Sequence, residues 1–228
     1  MRRKLAIFDI DGTIFRSSLL IELVNELIDR KIFPSDASLE YEKEYLNWLD
    51  RKGSYRDYID AVVSVFAKYI KGVQQDEFVS IAKIVTEHQG NRVYRYTRDL
   101  IKKLKGEGYY LLAISHSPKL IVGDFAKALN FDKVYGTIYE VDPSGQFTGE
   151  IVDKDLIFDK SKILERAVGK ENLTLKDSVG VGDTESDILF LEKVAKPICF
   201  NPNSLLYKEA VSRSWKVVVE RKDVIYEL

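Results

Sequence analysis

Leu5-Ala6-Ile7-Phe8-Asp9-Ile10-Asp11-Gly12-Thr13 is the stretch that decides the fold. Its four leading apolar residues run without interruption, as in a strand buried on both faces of a parallel sheet. Two carboxylates follow at Asp9 and Asp11, and Gly12 supplies a turn. In an open α/β sheet, ligands bind at the carboxyl ends of the strands. Carboxylates clustered there resist burial unless a cation or hydrogen bonds compensate them. Taken alone, Asp11-Gly12 also reads as a plain strand-ending turn. A calcium loop fits badly, because an EF-hand needs its acidic or amide ligands before the Gly and a helix upstream.

Working outward, similar apolar runs recur at Tyr109–Ile114, Ser178–Val181 and Val217–Val219, with helical stretches between them. That alternation predicts an α/β layer structure around a parallel sheet. One block interrupts it. From Leu19 to His88 only helical spacing is found: Leu20, Leu23, Val24, Leu27 and Ile28 share a face, as do Tyr55, Tyr58, Val62, Phe66 and Tyr69. Tyr41–Leu49 and Phe78–Val85 supply two more helices, with breaks at Phe33–Asp36, Gly53-Ser54 and Gly72. The pattern predicts a helical bundle over residues 17–90, inserted into an α/β core of residues 1–16 and 91–228. The aromatic stripe Tyr55/Tyr58/Phe66/Tyr69 either packs the bundle, the commoner origin of such a stripe, or lines a ligand cleft. A small β-hairpin is expected from Ile138–Val141 and Gln146–Ile151 around Asp142-Pro143-Ser144-Gly145.

Composition removes whole classes of function. The 228 residues are 45% hydrophobic and 31% charged, enough for a sizeable core and unlike a disordered chain. A formal net charge of -1 argues against a dedicated nucleic-acid or membrane-surface binder. Cys199 is alone, which excludes a disulfide framework and a cysteine metal site. No apolar run approaches the ~20 residues of a membrane helix, and Asp9 cuts short any signal-like start. A cytoplasmic location is expected.

Three further segments carry chemistry. Gly182-Asp183-Thr184-Glu185-Ser186-Asp187 follows a strand, and a helix beginning there turns Asp183 and Asp187 to one side; capping accounts for one of these acids but not for the pair. Converging carboxylates make the oxygen-rich site that a hard cation such as Mg²⁺ prefers. Ser115-His116-Ser117-Pro118 ends a strand and opens a helix, where a hydroxyl and backbone N–H groups cradle an anion; Ser117 reads as the ordinary N-cap. Lys160 shares a helix face with Ile163, Leu164 and Ala167, whereas Lys162 falls with Glu165 and Arg166 on the wet side. A phosphate or carboxylate partner explains an inward lysine, and so does a snorkelling one.

The ordered set Asp9-Ile10-Asp11-Gly12-Thr13, strand-terminal Ser115, helix-opening Lys160 and Gly182-Asp183 with Asp187 resembles the haloacid dehalogenase-like hydrolase superfamily over essentially the whole chain. The helical insertion and the hairpin resemble its phosphoserine-phosphatase-like branch. The resemblance implies a Rossmann-like sheet with a helical cap, and a Mg²⁺-dependent phosphatase that hydrolyses a small phosphorylated metabolite through an aspartyl phosphate. It implies Asp9 as nucleophile and Asp11 as general acid and base. It further implies Mg²⁺ on the Asp9 carboxylate, the Asp11 backbone carbonyl and Asp183, with Asp187 supporting the metal, and Thr13, Ser115 and Lys160 on the phosphoryl group. Dehalogenases of the superfamily lack the second Asp, so Asp11 points to a phosphatase.

Phosphoserine phosphatases usually carry Ser-Gly-Gly where this chain has Ser115-His116-Ser117, and the bulkier residues argue against phosphoserine itself. His116 either reads the substrate or packs beside the site. Specificity in this branch comes largely from the cap, where the polar candidates are Arg16, Ser17, Glu22 and Arg56. Two alternatives share the same residues: a phosphotransferase or mutase that passes the phosphoryl to an alcohol, and a non-catalytic phosphate-binding signalling module of the receiver type. Receivers are about half this length and do not place two Asp this way on the first strand.

Overall fold

A computed structural model describes residues 2–228. Its strands are β1 (Arg3–Asp9), β2 (Tyr110–Pro118), β3 (Lys133–Val141), β4 (Phe147–Val152), β5 (Leu173–Gly182), β6 (Lys196–Phe200), β7 (Lys216–Arg221) and β8 (Val224–Glu227). They form one sheet in the order β4-β3-β2-β1-β5-β6-β7-β8, parallel except for β3–β4 and β7–β8. The helices are α1 (Leu19–Asp29), α2 (Leu39–Leu49), α3 (Tyr55–Tyr69), α4 (Gln75–Gln89), α5 (Arg95–Gly106), α6 (Lys119–Ala128), α7 (Lys154–Ile157), α8 (Lys160–Lys170), α9 (Ile188–Leu191) and α10 (Ser204–Ser212). This is the α/β layer structure that the alternation of runs predicts, with the Rossmann-like sheet that the resemblance implies.

The central strand shows why. Side chains alternate across a strand, so Ala6 and Phe8 join one apolar cluster while Leu5 and Ile7 join another on the opposite face. Neighbouring β2 repeats the division, with Leu111 and Ala113 on the first side and Leu112 and Ile114 on the second. Helices α8, α9 and α10 cover the second cluster through Ile163, Leu164, Phe190, Leu191 and Leu206. The first cluster takes in α5 and α6, through Ile101 and Phe125, and runs on into the bundle through Leu23, Val24, Phe66 and Phe78.

Helices α1–α4 occupy the four spans read as helical. Ser54 starts α3 with a capping box, its hydroxyl accepting from the Asp57 N–H at 3.0 Å. The two chain connections between bundle and core run side by side: the Arg16 N–H donates to the Arg92 carbonyl at 2.8 Å, and the Tyr94 N–H to that of Ile14 at 2.9 Å.

Two features add to or differ from expectation. The expected hairpin forms, and its first strand is longer than read: β3 first pairs in parallel with β2 and then continues into the antiparallel pairing with β4. Its tip also holds the bundle: the Gly72 N–H donates to the Phe147 carbonyl at 2.8 Å, and the Gln75 N–H to that of Gly145 at 2.9 Å. Second, the expected N-cap at Ser117 is wrong. Strand β2 extends to Pro118, which itself precedes α6, and the Ser117 hydroxyl is used elsewhere.

Candidate active site

Strands β2, β1 and β5 lie side by side, so their carboxyl ends bring Ser115, Asp9 and Asp183 to one edge. Helix α8 begins nearby, and Asp159 caps it by accepting from the Ser161 and Lys162 N–H groups at 3.0 and 3.2 Å. That start buries Lys160, whose Nζ donates to Asp9 Oδ1 at 2.5 Å and Asp187 Oδ1 at 2.6 Å. Lys162 is exposed. Asp187 closes a 3₁₀ turn (Glu185–Asp187) instead of extending a regular helix, and its Oδ2 accepts from the Asp183 and Thr184 N–H groups at 2.9 and 3.1 Å. Both Asp187 oxygens are therefore committed.

Asp9, Asp183 and Asp187 are buried, with one carboxylate oxygen from each lying within 4.8 Å of the others. Three carboxylates facing one ammonium leave a deficit of two positive charges, that of a single divalent cation. Burial, with Asp187 and Asp11 nearby, pushes Asp9 up to about 7 against the opposing pull of Lys160. Asp183 is raised for the same first cause, with Asp9 and Asp187 adding to it. The two carboxylates outweigh the burial of Lys160 and hold it protonated.

Asp9 Oδ2 is buried without a hydrogen-bond partner among the described residues. Asp183 offers Oδ1 to the Thr13 hydroxyl at 3.1 Å. Gly12 is required beside it: its φ is +79°, and a Cβ there would lie 2.0 Å from Asp183 Oδ2. Gly182 is equally tight, since its Cβ would lie 2.5 Å from the Asp187 side chain. An orphaned buried oxygen, an all-carboxylate donor set and this charge deficit fit a hard divalent cation, and Asp9 and Asp183 are the residues able to hold it.

Asp11 stands at the junction of core and bundle. Its Oδ1 accepts from the Leu19 N–H at 2.6 Å, and its Oδ2 from the hydroxyls of Ser115 at 2.5 Å and Ser117 at 2.9 Å. Ser115 Oγ in turn accepts from the Ser117 N–H at 2.9 Å. The sequence reading missed Ser117, although residues two apart on a strand share a face. Thr13 is brought to the site, but its hydroxyl serves Asp183 in place of pointing free into the cleft. His116 packs at 5.8 Å from the Phe158 ring and does not line the cleft. Burial, with Lys160 and Arg56 nearby, lowers its imidazole to about 3 and keeps it neutral.

A cavity of about 1260 Å³ opens over this edge, with Gly12 and Asp183 in its lining and Tyr41, Tyr45, Trp48, Tyr55 and Tyr58 on the bundle side. The predicted stripe is thus divided: Tyr55 and Tyr58 face the cavity, Phe66 is fully buried, and the Tyr69 hydroxyl bonds Glu40 at 2.5 Å. Among the polar candidates, Arg16, Ser17 and Arg56 line it and Glu22 does not. Arg56 reaches from α3 to Glu185 of the core at 2.9 Å, and Glu22 is paired with Arg92 at 2.9 Å. Glu185, which also accepts from the Asn203 amide, carried no signal in the sequence beyond its place in the acidic motif.

The family model for haloacid dehalogenase-like hydrolase matches residues 6–192, and the chain belongs to that family. Among curated proteins, a phosphoserine phosphatase of Methanocaldococcus jannaschii is 24% identical over 224 residues, covering 98% of this chain and 95% of its own. A histidinol-phosphatase of Neisseria meningitidis is 22% identical, with 95% and 98% covered. Among solved structures, a phospho-aspartyl intermediate analogue of phosphoserine phosphatase shares the fold at a TM-score of 0.65 and 22% identity, covering 98% of this chain and 96% of its own. A Bordetella pertussis protein of unknown function does so at 0.75 and 19%, with 95% and 98% covered. Phosphoserine phosphatases thus recur among its relatives and among solved structures of the same fold. No described helix is long and apolar enough to cross a membrane.

Proposed function

We propose that this phosphomonoester hydrolase is Mg²⁺-dependent and moves the phosphoryl group of a small ester first to Asp9 and then to water. The observation that carries the proposal is the Asp9 carboxylate, held through Oδ1 by Lys160 and unpartnered at Oδ2, at the carboxyl edge of the central strand. The carboxylates of Asp9 and Asp183 and the backbone carbonyl of Asp11 would hold Mg²⁺, and Asp187 would orient Asp183 through its backbone N–H. Bound there, the cation supplies charge neutralisation for the carboxylates and the phosphoryl oxygens.

The chain's own residues account for the remaining steps. Asp9 attacks phosphorus, forming an O–P bond as the bond to the ester oxygen breaks. Asp11 gives that oxygen its proton, and the alcohol leaves. Asp11 then takes a proton from water as the water attacks the aspartyl phosphate, which restores Asp9 and releases phosphate. Lys160 keeps one Asp9 oxygen in place and offsets repulsion between carboxylate and phosphate. Ser115 has one hydroxyl proton and now spends it on Asp11. When a phosphoryl oxygen accepts that hydrogen bond instead, Asp11 is released from one donor while Ser117 still orients it. Thr13 acts through Asp183, a change from the direct phosphate contact expected of it. Residues 17–90 serve as the cap, supplying the wall that faces Asp183 across the cleft.

Phosphate release from small phosphomonoesters in Mg²⁺ tests the proposal. Turnover is expected to vanish in Asp9→Asn and after EDTA treatment, and acid-quenched enzyme to carry a phosphoryl group on the peptide containing Asp9. Near-wild-type turnover in Asp9→Asn, or full activity without divalent metal, would overturn it.

A further inference from the structure

We infer that the substrate's alcohol carries a planar ring, packed against Trp48 and Tyr55 while its phosphate lies at the Asp9 edge; this rests on the phosphatase reading above. The cleft is large for a short-chain ester, at about 1260 Å³, against the roughly 300–1,000 Å³ of common small-ligand pockets. Its bundle wall is aromatic and continuous. Trp48 stacks on Tyr58 with centroids 5.7 Å apart at 17°, meets Tyr55 at 5.6 Å and 60°, and neighbours Tyr45, which lies 5.2 Å from Tyr58. Tyr58 is buried, whereas Trp48 and Tyr55 are half-buried. Packing behind therefore fixes the wall, and ring surface remains toward the cleft. Offset or edge-to-face contact with a flat ring is what such a surface favours.

The charges in the cleft point the same way. An amino-acid phosphate would present a carboxylate and an ammonium, each needing a partner once water is excluded. The two arginines nearest the core are already engaged: Arg16 with Glu220 at 2.5 Å, and Arg56 with Glu185 at 2.9 Å and Asp60 at 3.4 Å. Asp57 is turned back to the Ser54 N–H and hydroxyl at 3.1 and 2.7 Å. Arg51 lies 5.8 Å from the Trp48 centroid and donates to the Trp48 carbonyl at 3.1 Å, so it belongs to the same aromatic wall. Tyr55 lines the cleft together with Asp183. Burial first, and then the carboxylates of Asp11, Asp183 and Asp9, raise its phenol and keep it protonated.

The test compares 2-phenylethyl phosphate, n-propyl phosphate and phosphoserine, in wild type and in Trp48→Leu. The ring ester is expected to lead the other two by roughly tenfold or more in kcat/KM, and Trp48→Leu to collapse the ratio of ring ester to propyl ester toward one. A second arm does not need turnover. The chain has two tryptophans, so Asp9→Asn combined with Trp215→Phe leaves Trp48 as sole reporter. Saturable change of its fluorescence with 2-phenylethyl phosphate, and not with propyl phosphate, is expected. Hydrolysis in which phosphoserine or propyl phosphate does as well as the ring ester would overturn this inference and leave the phosphatase reading standing. If no ester is hydrolysed, the phosphatase reading fails, and fluorescence decides alone: selective saturation supports the ring site, and its absence overturns it.

Discussion

Removing divalent metal is expected to make the stability of this protein fall as pH rises from about 4 to 8, with Asp9 and Asp183 both contributing. Burial raises Asp9 from 3.8 to about 7. Between those values the folded state holds a proton that the unfolded chain has released, so folding is favoured at the acid end and loses that advantage as pH climbs through the folded value. A difference of about 3 units at 1.36 kcal/mol each amounts to roughly 4 kcal/mol. Asp183, also raised, acts in the same direction. Lys160 is raised from 10.5, so its contribution is fully present throughout this range and does not oppose the trend. Urea denaturation of EDTA-treated protein at several pH values, wild type beside Asp9→Asn, isolates the effect. Loss of an ion-pair partner shifts the variant's curve as a whole, and only the pH dependence of the gap between the curves matters. That gap is expected to change by roughly 4 kcal/mol across the range, and excess Mg²⁺ to flatten the wild-type curve by replacing the proton. Parallel curves without metal would refute the idea that Asp9 is a buried carboxylate short of positive charge.

Gly12→Ala is expected to destabilise the fold by at least about 1–2 kcal/mol from its left-handed φ alone, and to abolish the thermal shift given by Mg²⁺, because the new Cβ would sit 2.0 Å from Asp183 Oδ2. A normal metal-induced shift in this variant would remove Asp183 from the metal site. Lys160→Ala is expected to reduce turnover by on the order of 100-fold, as loss of one preorganised charge donor does. Exposed Lys162, mutated to Ala and assayed beside it, is expected to stay within about twofold of wild type; the reverse pattern would exchange their roles.

Much of the sheet is legible from sequence because burial on both faces leaves a plain mark. Leu5–Phe8 must satisfy two apolar clusters at once and so contains no polar residue. The bundle is legible for the complementary reason, since helices covered on one side show a period. Strands β6 and β8 escape the same reading. Lys196–Phe200 is five residues long with a Pro at its second place, and β8 is an edge strand largely open to water. The double use of β3 also leaves no mark, since parallel and antiparallel partners make the same demands on a strand's side chains. For the site, the acids and Lys160 stand out as charges where an apolar residue is expected, and the structure gathers them. Ser117 does not stand out, because a hydroxyl before Pro118 fits a helix cap just as well. The aromatic wall is hidden for another reason: helical period identifies the apolar side of α3 but not whether a given turn meets another helix or a cleft.

The position of Asp11 follows from three hydrogen bonds supplied by two separate parts of the chain. Two hydroxyls on β2 approach Oδ2, and the first residue of α1 supplies the N–H to Oδ1. The opening turn of the bundle is thus bonded directly to the proposed acid, at 2.6 Å. On its far side the same bundle is held by the hairpin tip and, across the cleft, by Arg56 on Glu185. Glu185 lies two residues from Asp183 and two from Asp187. A shift of α1 therefore draws on Asp11, and a shift of α3 draws on the turn that orients Asp183. The continuous apolar cluster between bundle and sheet resists both displacements, because separating the two would expose Leu23, Val24 and Phe66. Seating of the bundle and alignment of the acids are one packing problem, which is why the insertion cannot be treated as a detachable source of specificity.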